Sequence, residues 1–411
     1  MRSFRYISIL FLMFSVACIE TPKKDNVKSN NIDVAAYVWP SCQNEERSRN
    51  KLWSEGIGEW EIIKKGTPRF EGHYQPRQPL WGYLMDDDPA VMEKKIEAAS
   101  SHGVNVFIFD WYWYEGKPFL EEALNEGFLR AQNKDEMSFY LMWANHDVPG
   151  NMWNPYRYKS DSLLWEGNVT WPEYKELVER VIANYFNQPN YYKIDNKPVF
   201  SLYSLEELVQ SFDGLEGAKK ALDYLRQETI KAGFDGLHLQ LVGKYSHLQP
   251  NFGEGLLNVN EICEMLEANS VTMYNMAGND LRKENYIPYL ASAIKLRTEW
   301  DKKLSLPFIP CVSVGWDNTP RYPDMGKEEI IHQHDTPESF GAGLLKAKEY
   351  VMERPEQPQV IVINAWNEWV EGSYIEPDLR WGYGYLETIQ RIMSYSNSED
   401  SKSKFKKFNS R

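Results

Sequence analysis

Residues 89–111 read PAVMEKKIEAASSHGVNVFIFDW. The first part, Pro89–His102, has apolar residues at helical spacing; Asp88 can cap it, and Pro89 takes the first helical position, where no backbone N–H is needed. The second part, Val104–Trp111, is a near-continuous apolar run of the kind that forms a parallel strand covered on both faces. Working outward, strand-like runs recur at Val34–Trp39, Ser138–Ala144, Pro198–Tyr203, Leu237–Gly243, Ser270–Tyr274, Phe308–Val314 and Val360–Ala365. Helical patterns separate them at Glu173–Phe186, Gly217–Ala232, Leu290–Lys303 and Pro337–Arg354. Eight strands alternating with helices predict an α/β chain folded as a single (β/α)8 TIM barrel. An open doubly wound sheet would place a glycine-rich phosphate loop after its first strand, where this chain has Pro40-Ser-Cys-Gln43. The segment Pro40–Asp88 carries Trp53, Trp60, Tyr74, Trp81 and Tyr83, which predicts a long aromatic-rich loop after strand 1, lying over the barrel mouth.

The ends of the chain read differently. Arg2 and Arg5 precede an apolar run from Tyr6 to Ala17, too short to span a bilayer and suited to a signal peptide. It ends in Ser15-Val16-Ala17-Cys18, which resembles a bacterial lipobox. The expected organisation is a signal peptide over 1–18 ending at a lipidated Cys18, a polar tether over 19–32, a catalytic domain over 33–395 and a polar tail over 396–411. The protein is expected to be exported and anchored to the outer membrane through its N-terminal lipid alone, on the periplasmic face or the cell surface, as a monomer. Cys42, Cys263 and Cys311 then remain, an odd number set among apolar neighbours and expected as buried free thiols.

Composition narrows the function. A net charge of -13 argues against nucleic acid or an anionic membrane surface as the main partner, because both require a basic footprint. The 15 Trp and 25 Tyr supply flat apolar faces with polar edges, suited to stacking on sugar rings. In a barrel of this kind chemistry sits just past the C-terminal ends of the strands. Those positions hold Asp110-Trp111-Tyr112, Trp143-Ala144-Asn145-His146, Lys244, Tyr274, Trp316-Asp317 with Arg321 close behind, and Trp366-Asn367-Glu368-Trp369-Val370-Glu371. With Trp60 from the long loop, these aromatic, amide and acidic residues are the candidate lining of a sugar-binding cleft. Asp110 and Asp317 either bond sugar hydroxyls or hold loops, and His146 either orients a loop or touches substrate. Asp86-Asp87-Asp88 reads as a helix cap before Pro89 rather than a calcium site. No metal cluster, serine elbow or nucleotide loop is present in the sequence, and no cofactor is expected.

Glu368 and Glu371 are the sharpest feature. Two carboxyls three residues apart on a turn can face one cleft, and glycoside cleavage needs two: one to protonate the leaving oxygen and one to assist attack at the anomeric carbon. Mutual repulsion and aromatic surroundings favour a proton on one of them near neutral pH.

The stretch Ile363-Asn-Ala-Trp-Asn-Glu-Trp-Val-Glu-Gly-Ser-Tyr-Ile-Glu-Pro-Asp378 resembles the signature of the WbsX-like family, as do Gly72-His-Tyr-Gln-Pro76, Trp143-Ala-Asn145 and Gly315-Trp-Asp-Asn-Thr319. That family is related to glycoside hydrolase family 99, the endo-α-mannosidases, whose Asn-Glu-Trp-His-Glu-Gly motif corresponds here to Asn367–Gly372, with Val370 in place of His. The resemblance implies a (β/α)8 barrel, no metal and retention of anomeric configuration. It also implies that Glu368 acts as base on the sugar's own 2-hydroxyl (or as nucleophile) and Glu371 as general acid and then base. The expected activity is a glycoside hydrolase, endo-acting, on an α-mannoside, a rhamnoside or a related poly- or oligosaccharide. The alternatives are a glycosyltransferase of polysaccharide synthesis, a label often given to this family, and a surface lipoprotein that binds glycans without cleaving them.

Overall fold

The computed structural model describes residues 32–243, 258–276, 284–323 and 331–394. Cys18, the tether up to residue 31, Lys244 and the polar tail lie outside the described residues. Eight parallel strands form the barrel wall: β1 Asp33–Val38, β2 Val106–Tyr114, β3 Ser138–Trp143, β4 Lys197–Leu202, β5 His238–Gly243, β6 Ser270–Met273, β7 Cys311–Ser313 and β8 Val360–Asn364. They are hydrogen-bonded in the order β6-β5-β4-β3-β2-β1-β8-β7. The ends of that path meet where Phe308, just before β7, pairs in parallel with Val271 of β6, so the ring is nearly closed. This is the expected (β/α)8 barrel.

The helices over the wall are α1 Pro89–Ser100, α2 Trp171–Val181, α3 Leu215–Lys231, α4 Val259–Met265, α5 Tyr286–Lys303, α6 Pro337–Met352 and α7 Gly384–Ser394. After β2 a π-helical turn, Ala123–Gly127, and a 3-10 turn, Phe128–Arg130, replace a full helix. Local chemistry sets the helix starts. The Asp88 carboxylate accepts from the Ala90 N–H at 2.9 Å, and Thr170 and Glu173 form a reciprocal capping box on α2. In α1, Met92, Lys95, Ile96, Ala98 and Ala99 are the buried positions, at the three-to-four spacing that turns one face inward.

Strand parity then fixes what reaches the mouth. Successive side chains of a strand point to opposite faces. Asp110 and Tyr112 of β2 line the mouth, whereas Trp111 points outward, donating to Glu121 at 2.8 Å and packing edge-on against Tyr185. Met142 and Ala144 likewise line the mouth, and Trp143 lies 6.0 Å from the Tyr174 ring of α2. Cys42, Cys263 and Cys311 are buried and unpaired. Among the described residues no helix is long and apolar enough to cross a membrane.

Candidate active site

A cavity of about 250 Å³ opens at the C-terminal ends of the strands. Trp39 follows β1, Asp110 and Tyr112 end β2, Tyr203 and Tyr274 follow β4 and β6, and Arg321 sits on the turn after β7. Glu368 and Glu371 come from the turn after β8, and His146, Asp147, Met152 and Trp153 descend from the loop after β3.

Glu368 is 2 % exposed. Burial pushes its carboxyl well above the usual range, and the nearby charge of Glu371 adds to this while Arg321 opposes it. One carboxylate oxygen accepts from the Tyr274 hydroxyl at 3.1 Å, and the same hydroxyl lies 2.9 Å from Asp110 Oδ2. A phenol has one proton to donate, so both contacts are satisfied when one of the two carboxyls is itself protonated. Asp110 is also raised, first by burial and then by Glu371, against the hydrogen bond from Tyr274.

Arg321 joins the acids. Its NH1 lies 3.1 Å from Glu371 Oε1 and its NH2 3.6 Å from Glu368 Oε1. Its Nε and NH2 both donate to Glu59 Oε1, at 3.2 and 3.0 Å. Glu59 is fully buried and also accepts from the Trp39 indole.

The turn carrying the two glutamates is tied down on every side. Asn367 accepts from the Trp39 N–H at 2.8 Å and donates to the Trp39 carbonyl at 3.0 Å and to Asp86 at 3.1 Å. Trp369 stacks on Tyr374 with ring centroids 3.7 Å apart and donates to Glu376 at 3.0 Å. Buried Lys95 bridges Asp86 at 2.6 Å and Glu376 at 2.9 Å, so one cation fastens both flanks of Glu368. The Asp317 N–H donates to the Glu371 carbonyl at 2.6 Å. Gly372 closes the turn at φ +64°, and a Cβ there would lie 2.7 Å from Arg77 NH2.

The structure therefore divides the residues predicted from sequence. Asp110, Tyr112, His146, Tyr274, Glu368 and Glu371 converge on the cavity. Trp60, Trp111, Trp143, Asn145, Trp316, Asp317, Trp366, Asn367 and Trp369 are buried and do not line it. Trp60 donates to the Leu84 carbonyl and packs on Trp369; Trp366 packs on Phe107; Trp316 accepts from the His332 N–H through its carbonyl. Asn145 ties the ends of β3 and β4 by pairing both amide groups with the Ser204 backbone. Asp317 gathers His73, Gln75 and Arg77 at 2.9, 2.7 and 3.1 Å. Burial opposes its ionisation, but the His73 hydrogen bond and the Arg77 charge outweigh it and hold the carboxyl well below the usual range. The motifs Gly72–Pro76 and Gly315–Thr319 thus meet each other, and together they hold the Glu371 turn. Trp39, Glu59, Tyr203 and Arg321 were not among the candidates. Trp39 and Arg321 stood beside strand ends, where position alone marks them. Glu59 carried no signal, because its place depends on how the long loop folds back.

The family model described as glycosyltransferase WbsX matches residues 35–389. The chain belongs to the WbsX family. Two curated relatives, both called uncharacterized protein WxcX and from two strains of Xanthomonas campestris pv. campestris, are each 27% identical over 349 residues. These matches cover 83% of this chain and 47% of the relatives, so the WbsX-family chain spans about half the length of the curated relatives it matches. Among solved structures, a glycoside hydrolase-like protein aligns with TM-score 0.55 at 13% identity, covering 89% of this chain and 95% of that one. The GH99 endo-alpha-mannosidase from Bacteroides thetaiotaomicron, in complex with Bis-Tris-propane, aligns with TM-score 0.53 at 15% identity, covering 92% and 98%. At these identities the likeness shows the fold.

Proposed function

We propose that this WbsX-family chain is a glycoside hydrolase that cleaves a poly- or oligosaccharide with retention, and that it works as an exported lipoprotein anchored through Cys18. The observation that carries the reading is the pair Glu368 and Glu371 facing one cavity across a single guanidinium, with Glu368 buried under Tyr274. In this reading Glu368 takes the proton of the substrate's 2-hydroxyl, and that oxygen attacks the anomeric carbon. Glu371 gives its proton to the departing oxygen. Water, deprotonated by Glu371, then opens the 1,2-anhydro sugar, and Glu368 returns the proton to the 2-oxygen. Two inversions give net retention. Val370 is fully buried, so the position held by His in family 99 adds no polar group to the cavity here.

Electrostatics favour hydrolysis over the transferase named in the family description. A nucleotide sugar brings a diphosphate, which calls for cations or helix N-termini. The described lining offers the four acids Asp110, Asp147, Glu368 and Glu371 against Arg321 and the imidazole of His146. The same excess of acid favours a neutral glycan over a uronate. The test is to incubate the protein with a panel of neutral mannans, rhamnans and mixed glycans and follow new reducing ends. Release with wild type and none with Glu368→Gln supports the reading. Transfer from a nucleotide sugar with no release from any glycan overturns it.

A further inference from the structure

Glu368 meets charge and titratable groups from every side of the cavity. Glu371 comes from its own turn, Asp110 and Tyr112 from β2, Tyr203 and Tyr274 from beyond β4 and β6, Glu59 from the long loop, and Arg321 from the turn after β7. The loop after β3 adds His146 and Asp147 to the lining; the carboxyls and phenols add negative charge when they ionise, His146 adds positive charge only when protonated, and Arg321 is the permanent cation among these groups. Its placement is built. Both Nε and NH2 are pinned to a Glu59 carboxylate that is itself fully buried and held by Trp39, and the guanidinium carbon lies 5.8 Å from the centre of the Trp39 ring. A guanidinium fixed by one buried acid presents its remaining N–H groups in a set direction, here toward Glu368 and Glu371.

We propose that Arg321, held by Glu59, is the positioning cation that lets the buried Glu368 carry negative charge at the moment it must accept a proton. This rests on the hydrolase reading for why an anion is needed there, but the electrostatic claim stands or falls separately. An opposite charge within about 4–6 Å shifts a carboxyl by roughly 1–3 pH units. Arg321 acts through Glu368, so its loss moves the pH at which Glu368 titrates as well as the rate.

The experiment is a pH titration of full-length protein labelled with ¹³C at the glutamate side-chain carboxyl and read by NMR, with no ligand present. Glu368→Gln identifies the resonance by its disappearance. Arg321→Gln is expected to move the Glu368 midpoint upward by about one pH unit or more. Arg321→Lys keeps the charge but not the fork, and is expected to move it upward by less; it also serves where Arg321→Gln does not fold. A midpoint that stays in place or falls in Arg321→Gln, or falls in Arg321→Lys, overturns the proposal whatever the polysaccharide assay shows. Conversely, an upward shift in a protein that cleaves no glycan sustains the electrostatic assignment and removes only the hydrolase reading.

Discussion

Replacing Gly372 with alanine tests how the turn carrying Glu368 and Glu371 is held. The residue sits at φ +64°, where a Cβ costs about 1–2 kcal/mol in backbone energy alone. That Cβ would also lie 2.7 Å from Arg77 NH2, closer than real contacts allow, and 3.0 Å from Asp317 Cβ, a tight contact. Arg77 has little room to withdraw, since it donates to Asp317 at 3.1 Å and to the Tyr374 hydroxyl at 3.3 Å, and Asp317 is fully buried. Loss of one partner of a buried ion pair costs about 3–5 kcal/mol, so a partial displacement of Arg77 added to the backbone strain gives a loss of about 3 kcal/mol. The Asp317 N–H holds the Glu371 carbonyl, so the same shift moves Glu371. A misplacement of about 1 Å is enough to lower a rate about 100-fold. Urea unfolding of wild type and Gly372→Ala gives the stability change, and polysaccharide release at matched folded fractions gives the rate. A variant within about 0.5 kcal/mol of wild type, the spread expected of a neutral surface change, would refute the clamp.

Other consequences follow from burial and charge. Trp143→Ala removes a ring packed under α2 and should cost about 3–5 kcal/mol in stability while leaving glycan affinity of the folded fraction unchanged; weakened affinity at unchanged stability would return Trp143 to the cleft. Burial pushes Asp335 up to about 6 from the ordinary 3.8, against the charge of Arg77. Because the folded state holds this proton more tightly than the unfolded chain, stability should fall through this group as pH rises from about 4 to about 6, by about 3 kcal/mol at most. Asp335→Asn should lack that slope in urea midpoints measured across this range, and an unchanged slope would rule the group out. Cys18→Ala should leave the membrane fraction on cell lysis, and equal membrane recovery of the variant would exclude lipidation there.

The barrel was legible because each wall strand is a separate apolar run, and the observed strands begin and end close to those runs. Two differ for local reasons. β2 continues to Tyr114, where it pairs antiparallel with Lys117–Phe119, and β7 starts only at Cys311, because Phe308 is engaged with Val271 across the closure. The two glutamates were legible from their spacing and their aromatic flanks. Trp111 and Trp143 were assigned to the mouth by proximity to strand ends, yet parity places them on the opposite face from Asp110 and Ala144. Asn367 and Asp317 have the composition of sugar ligands, but their polar atoms are taken up by Trp39, Asp86, His73, Gln75 and Arg77, and only the fold reveals that. Asp86 was legible as part of a cap sequence, whereas its pairing with Lys95 under the Glu368 turn joins residues on separate elements.

The most direct test of the central claim is a comparison of Glu368→Gln and Glu371→Gln on a glycan that wild type cleaves and on the glycosyl fluoride of the sugar released, with the first-formed product read by ¹H NMR. Glu371→Gln should lose about 10²–10⁴-fold on the natural glycan, as loss of a general acid does, and far less on the fluoride, which scarcely needs protonation. Glu368→Gln should be nearly inactive on both, and wild type should give the retained anomer. Equal losses for Glu371→Gln on the two substrates, or an inverted first product, would contradict the assignment of the two carboxyls.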